Sequence, residues 1–189
     1  MIRAMKKALP WLVLVAVVAT MAIENRAQGR LWVCSCGHIR AWVPDSNSSE
    51  SSQQLFDPYT FTHVIHGFLM LGAVHLLFPR LSQTWKFVTA LSAEAVWEMI
   101  ENTAFIIQRY RSETVSLGYT GDTVLNSFGD VLACAVGVLL ARRVGVVKTV
   151  VLTVAIELVL LITVRDNLLL NIIMLVYPSD AIRHWQLGH

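Results

Sequence analysis

Long apolar segments of this chain carry acids where a bilayer-crossing helix should carry none. Segment 87–107, FVTALSAEAVWEMIENTAFII, holds Glu94, Glu98 and Glu101. Segment 122–141, DTVLNSFGDVLACAVGVLLA, holds Asp122, Asn126 and Asp130. Ionisable groups are costly in lipid, so they turn toward a bundle interior and mark a functional site. With 55% hydrophobic residues over 189 positions, the chain is richer in apolar side chains than a soluble domain needs. The expected fold is an all-α membrane protein, a bundle of about five transmembrane helices. It would form one polytopic domain over 1–189.

The candidate spans are 8–23, 60–78, 87–107, 122–141 and 149–164, of which the first and last are short for crossing a hydrocarbon core of about 30 Å unless they extend into flanking residues. The stretch 168–177, LLLNIIMLVY, is too short to cross. It reads as an interfacial or re-entrant helix, or as the end of a long tilted fifth helix. Arg3, Lys6 and Lys7 precede the first span, Arg80 and Lys86 separate the second and third, and Arg142, Arg143 and Lys148 separate the fourth and fifth. On the five-span reading these groups share one side, which the positive-inside rule makes the cytoplasm. The expected location is therefore the bacterial inner membrane, multi-pass, with a cytoplasmic N-terminus. The first span also has features of a signal peptide, but its cleavage site is weak and an uncleaved anchor is preferred. The extracytoplasmic loop 24–59 contains PDSNSSESSQQ, which reads as a flexible polar connection with nothing to bury. The net charge of +2 and the lack of a nucleic-acid motif exclude nucleic acid as a partner; the bilayer is the expected one.

Helical rise estimates depth. From the outer ends of the spans, Glu98 lies about 13 Å deep, Glu101 and His66 about 9 Å, Asn126 about 6 Å, Asp130 about 12 Å and Glu157 about 10 Å. Four helices thus place polar groups in one slab. The faces agree too, since Glu94, Glu98 and Glu101 fall on one stripe, Asp122, Asn126 and Asp130 on another, and His63 and His66 one turn apart. A polar seam that only holds helices together accounts for any one of these residues as well as chemistry does. It accounts less well for the whole set, because burying many acids costs more than packing Leu unless a cation or proton is used.

The sharper reading is a divalent metal site. His63, His66, Glu98 and Asp130 offer nitrogen and oxygen donors suited to Zn, Mn or Fe. Glu101 would act as general base, with Asn102, Asp122 and Asn126 completing the catalytic set. Arg109, Arg165, Asp166 and Asn167, at the outer helix ends, would hold the anion of a lipid-phosphate substrate, although Arg at a helix end also anchors to ordinary headgroups. Cys34 and Cys36 take a structural or redox role, as a disulfide closing a very small loop or, with His38, as a soft-metal site. Cys134 reads as inert packing. A proton-coupled transporter and a non-enzymatic subunit whose polar seam serves assembly remain alternatives.

The strings CSCG, SQQLFDPYTFTHVIHGF, EAVWEMIENTAFIIQRYR, GYTGDTVLNSFGD, ELVLLITVRDNLLLNIIML and IRHWQ resemble an uncharacterised family of small bacterial multi-pass membrane proteins, over about residues 31–186. The resemblance implies location and architecture rather than a reaction. Its motif positions here are Cys34, Cys36, His63, His66, Glu94, Glu98, Glu101, Asn102, Arg109, Asp122, Asn126, Asp130, Arg165, Asp166 and Asn167. The chain departs from it at Pro58 and at Met70-Leu71. The Asp122-x3-Asn126-x2-Gly129 element is also similar to one in VanZ-like membrane proteins.

Overall fold

The computed structural model describes residues 2–188, with side chains from Lys6 onward, so the Arg3 side chain counted toward topology lies outside the described residues. Among the described residues there are eight helices and no strand: α1 (Ile2–Ala27), α2 (Thr60–Leu77), α3 (Gln83–Glu101), α4 (Ala104–Glu113), α5 (Val124–Val144), α6 (Val146–Thr163), α7 (Leu168–Val176) and α8 (Asp180–Leu187). Four of them, α1, α2, α5 and α6, are long and apolar enough to cross a membrane. The chain is an all-α membrane protein. α3, at 19 residues, is about 28 Å long, but it carries Lys86, Glu94, Glu98 and Glu101.

The outside is apolar and the inside polar. Val146 is 81% exposed and Ile162 79%, whereas Glu94, Glu98 and Asn102 are each 0% exposed. In water that distribution would be costly. In lipid it is expected, because apolar side chains meet acyl chains and polar ones must find partners inside.

The closest helix pairing is α2 on α5, and glycine makes it possible. A Cβ on Gly67 would run into the Cys134 carbonyl and lie 2.9 Å from Gly137 Cα, and one on Gly137 would run into the Val64 carbonyl. Small residues at a membrane helix interface let backbones approach and gain dispersion contact where lipid offers no hydrophobic drive. α1 packs against α3 and α5, burying Met21 and Asn25, and Asn25 Nδ2 donates to Ser127 Oγ at 3.0 Å.

Two apolar stretches differ from their expected form. Segment 87–107 is not one helix. The chain leaves α3 at Asn102 and restarts at Thr103, whose hydroxyl accepts from Ile106 N. Asn102 holds the corner: Nδ2 donates to the Glu98 carbonyl at 3.0 Å, and Oδ1 accepts from Asp122 N at 2.8 Å. Nor does 168–177 extend the preceding helix. The chain reverses at Arg165, in the left-handed region with φ 57°. The N-terminus of α7 then folds back onto Glu157, whose carboxylate accepts from Leu168 N at 3.1 Å and Leu169 N at 3.0 Å. A carboxylate there satisfies orphan N–H groups and meets the positive end of the helix dipole. Glu157 is thus a cap for α7, and it does not line the cavity described below.

The polar loop before α2 has folded contacts where a loose connection was expected. Leu31 and Trp32 carbonyls accept from Val124 N and Leu125 N at the start of α5, and Leu55 packs its carbonyl against Gly129. Gln54 is 1% exposed; its Oε1 accepts from Arg40 N at 2.7 Å, and its Nε2 donates to Glu50 at 3.0 Å. Asp57 accepts from Ser51 Oγ, Ser52 N and Tyr59 N. What the apolar pattern could not show is that side-chain amides and carboxylates order this segment.

Candidate functional site

α2, α3 and α5 bring a row of imidazoles and acids together. His63 and His66, one turn apart on α2, both face Glu94 of α3. His63 Nδ1 lies 2.6 Å from Glu94 Oε1, and His66 Nδ1 lies 3.2 and 3.1 Å from the two Glu94 oxygens. His63 Nδ1 is also 3.5 Å from Glu98 Oε1, and its Nε2 is 3.8 Å from Asp130 Oδ1 on α5. The His63 and His66 rings meet edge to face at 4.9 Å, and His66 meets Trp97 the same way at 6.1 Å.

Two overlapping donor groups result. One donor atom each from His63, His66 and Glu94 lies within 4.8 Å of the others, and the same holds for His63, Glu98 and Glu101. Donors around a tetrahedral ion bound at about 2.0–2.1 Å sit about 3.3 Å apart. From His63 Nδ1, Glu94 at 2.6 Å and Glu98 at 3.5 Å bracket that value. These clusters could hold a metal ion. Glu98 is the least satisfied member: it is 0% exposed, and neither carboxylate oxygen has a hydrogen-bond partner. An acid buried this way costs several kcal/mol unless a cation or proton accompanies it.

Beside the row lies a cavity of about 240 Å³, room for about eight waters. His63, His66, Glu101, Asp122, Asn126 and Asp130 contribute to its polar wall. Tyr59, Tyr110, Tyr119 and Trp97 add aromatic surface, and Leu168, Ile172 and Leu175 of α7 close an apolar side. Tyr119 donates to Asp122 Oδ2 at 3.0 Å, and the Tyr110 hydroxyl sits beside Glu101.

The structure sorts the expected site residues. Of the expected metal set, His63 meets both Glu98 and Asp130, but His66 pairs with Glu94, which that set left out. Of the expected catalytic set, Glu101 and Asp122 line the cavity, and Glu101 Oε2 is buried without a partner. Asn102 does not line it; its amide is spent on the α3–α4 corner. Asn126 reaches the wall, but its Nδ2 donates to the Gln54 carbonyl at 2.9 Å and so ties down the loop.

The expected anion-binding set is not assembled. Arg109 Nε donates to the Leu175 carbonyl at 2.9 Å, with Glu113 3.7 Å from its Nη1. Arg165 is exposed on another face, beside Trp185 and Gly188. Asp166 accepts from Tyr59, Asn171, Gln186 and Asn167 N, so it clasps α2, α7 and α8 together. Asn167 caps α7 through Leu170 N at 2.9 Å. Chain-end position suggested anion binding for these four, whereas hydrogen bonding assigns three of them to scaffolding.

Cys34 and Cys36 are joined as a disulfide, so Cys36 sulfur is not available as a thiolate ligand to the nearby His38 and Glu50. Glu50 lies outside the membrane helices. The hydrogen bond from His38, at 3.0 Å, holds its carboxyl below the usual value. Cys134 is free and buried.

Sequence reasoning missed the tyrosines. Tyr59 precedes His63 by one helical turn, and Tyr119 precedes Asp122 by three residues, so spacing carried a signal for both. Tyr110 lies on α4, across the Asn102 corner from Glu101 on α3, so helical spacing carried no signal for that pair.

The sequence profile of the family described as "Protein of unknown function (DUF2585)" matches residues 26–188. Similar relatives include a UPF0314 protein of Sinorhizobium fredii, 45% identical over 181 residues, covering 94% of this chain and 92% of the relative. Another, from Sphingopyxis alaskensis, is 42% identical over 178 residues, covering 94% and 95%. A third, from Novosphingobium aromaticivorans, is 48% identical over 165 residues, covering 85% and 83%. No solved structure matches the chain. The VanZ-like similarity of the α5 start finds no support in these comparisons. The chain belongs to the DUF2585 family, whose UPF0314 relatives in bacteria align with it over nearly their whole length.

Proposed function

We propose that this protein is a metal-dependent membrane enzyme whose ion is held by His63 and Glu98. The observation that carries this reading is Glu98, fully buried with both oxygens unpartnered, within reach of His63 and Glu101 donor atoms. Zn, Mn or Fe suits that mixed nitrogen and oxygen set. A bound divalent ion supplies Lewis acidity and lowers the pKa of water. The chain's own residues supply the rest. Glu101 offers an unpartnered oxygen at the cavity wall to take a proton. Asp122 orients Tyr119, and the apolar wall of α7 limits water. A lipid-linked substrate fits the apolar surroundings, but its anion has no clamp in this cavity, because Arg109 and Arg165 are engaged or face elsewhere.

The test is elemental analysis of detergent-purified wild type beside Glu98→Gln and His63→Ala. We expect about one divalent ion per chain in wild type, lost from both variants. Wild-type protein that stays metal-free after incubation with Zn, Mn and Fe salts ends the reading.

The chain of contacts His66–Glu94–His63 favours one second reading, a proton relay within a transporter. It predicts pH-dependent flux through reconstituted vesicles that Glu94→Gln stops and metal chelation leaves intact. We also assign the protein to the bacterial inner membrane as a multi-pass protein with a cytoplasmic N-terminus. The support is the Lys and Arg clustered at the start of α1, around the α2–α3 connection and around the α5–α6 junction, with the Cys34–Cys36 disulfide beyond the other end of α1. Labelling of a cysteine placed at position 48 from outside the cell checks the orientation.

A further inference from the structure

The charge lining the cavity selects its occupant. Among the described residues, no Lys or Arg lines it, while Asp57, Glu101, Asp122 and Asp130 do. Asp57 is engaged by three donors, whereas Asp122 accepts from Tyr119 and Asn102 through Oδ2. Glu101 Oε2 is buried with no partner. Aromatic surface surrounds this opening. Tyr110 and Tyr119 meet edge to face at 5.1 Å, and Tyr59 and Trp97 line the same space. An anion entering here would meet carboxylates, and the imidazoles of His63 and His66 on the α2 side are already paired with Glu94. A cation would meet carboxylate and ring faces, the combination that recognises organic ammonium groups.

We propose that the cavity binds an organic ammonium group, with Glu101 and Asp122 as counter-charges and Tyr110 and Tyr119 as the aromatic wall. The volume of about 240 Å³ holds a substituted ammonium and a few attached atoms, roughly the space of eight waters. On the α7 side, Ile172 lines the cavity yet is 49% exposed at the surface. An acyl tail attached to the ammonium can therefore leave along lipid-facing side chains. The ligand is an amine-bearing lipid headgroup or a free amine of the same chemistry. This deepens the functional reading by naming the ligand class of the same cavity, and it holds whether or not a metal occupies the acid–imidazole row.

The experiment is calorimetric titration of the full chain in detergent with choline and with 3,3-dimethylbutanol, its uncharged isostere. Choline should bind at least about tenfold more tightly, the scale of a desolvated cation–π contact. Asp122→Asn and Tyr110→Leu should each weaken choline several-fold without weakening dimethylbutanol. Nanodiscs of ethanolamine phospholipid compared with glycerol phospholipid, alongside free ethanolamine, distinguish a headgroup from a soluble amine; binding of either amine supports the proposal. Equal affinity for choline and dimethylbutanol, no binding of any amine, or preferential binding of inorganic phosphate overturns it. If a variant does not fold, the wild-type ratio decides alone. Metal content is measured on the same samples before and after chelation. Ammonium binding by protein that takes up no metal keeps this proposal and ends the metal reading; metal-loaded protein blind to ammonium does the reverse.

Discussion

Glu98 and Asp166 are both buried acids, at 0% and 2% exposure, yet they live in opposite surroundings. Asp166 accepts from a tyrosine, an asparagine, a glutamine and a backbone N–H that tie three helices together. Glu98 accepts from nothing. A protein that needs an acid for architecture surrounds it with donors, since an unpaired buried polar group costs its full desolvation. Glu98, left without donors beside the His63 imidazole, is an acid whose burial a cation or proton would offset. The difference separates scaffold from site more sharply than burial alone.

The largest test of that contrast is paired. Asp166→Ala strands the Tyr59, Asn171 and Gln186 donors and should cost about 3 kcal/mol or more of stability. Glu98→Gln should cost within about 1 kcal/mol or stabilise, because it removes an unpaired charge-bearing group rather than a network. Thermal denaturation in one detergent measures both, and equal losses would falsify the distinction.

A smaller effect is expected within a single turn of α3. Asn102→Ala breaks the corner to α4 and should cost about 2 kcal/mol. Glu101→Gln, one residue away, should leave stability nearly unchanged while reducing proton-accepting activity or ligand binding at the cavity. A reversed order of melting temperatures would return Asn102 to the site and Glu101 to the scaffold.

The smallest effect is in pH dependence, and its sign differs between two acids outside the membrane helices. Burial pushes Asp166 up to about 6 from 3.8. Its folded value is raised, so its contribution is full below about 4 and is lost as pH rises through 6. For Glu50 the His38 hydrogen bond lowers the folded value below 4.5. That contribution is present above 4.5 and is lost as pH falls. In melting curves between pH 3 and 7, Asp166→Asn should remove part of a decline toward neutral pH, and Glu50→Gln part of a decline toward acid. Slopes that neither substitution changes would show that the membrane-embedded acids dominate the titration.

Much of this was legible before any tertiary contact was known. Acid stripes at helical spacing mark their own inward faces, because lipid cannot solvate them; hence Glu98, Asp130, His63 and His66 were found as one group. Family membership was carried by ordered motifs over most of the chain. The expected metal set left out Glu94, which meets His63 and His66 of α2, and the expected slab included Glu157, whose carboxylate instead caps α7.

The sequence by itself determined the solvent: apolar runs of crossing length with buried acids allow only an α-helical membrane protein, since every backbone group must be satisfied within its own helix. It also determined which faces turn inward. Only the tertiary structure decided which inward polar groups are spent and which are free. Hydrogen-bond partners of Asn102, Arg109 and Asp166 come from distant helices and loops, and a pairing over tens of residues leaves no periodic trace in the chain. The role of each buried group is set by whether its partners are already present in the fold, and that depends on three-dimensional proximity rather than on residue type or spacing.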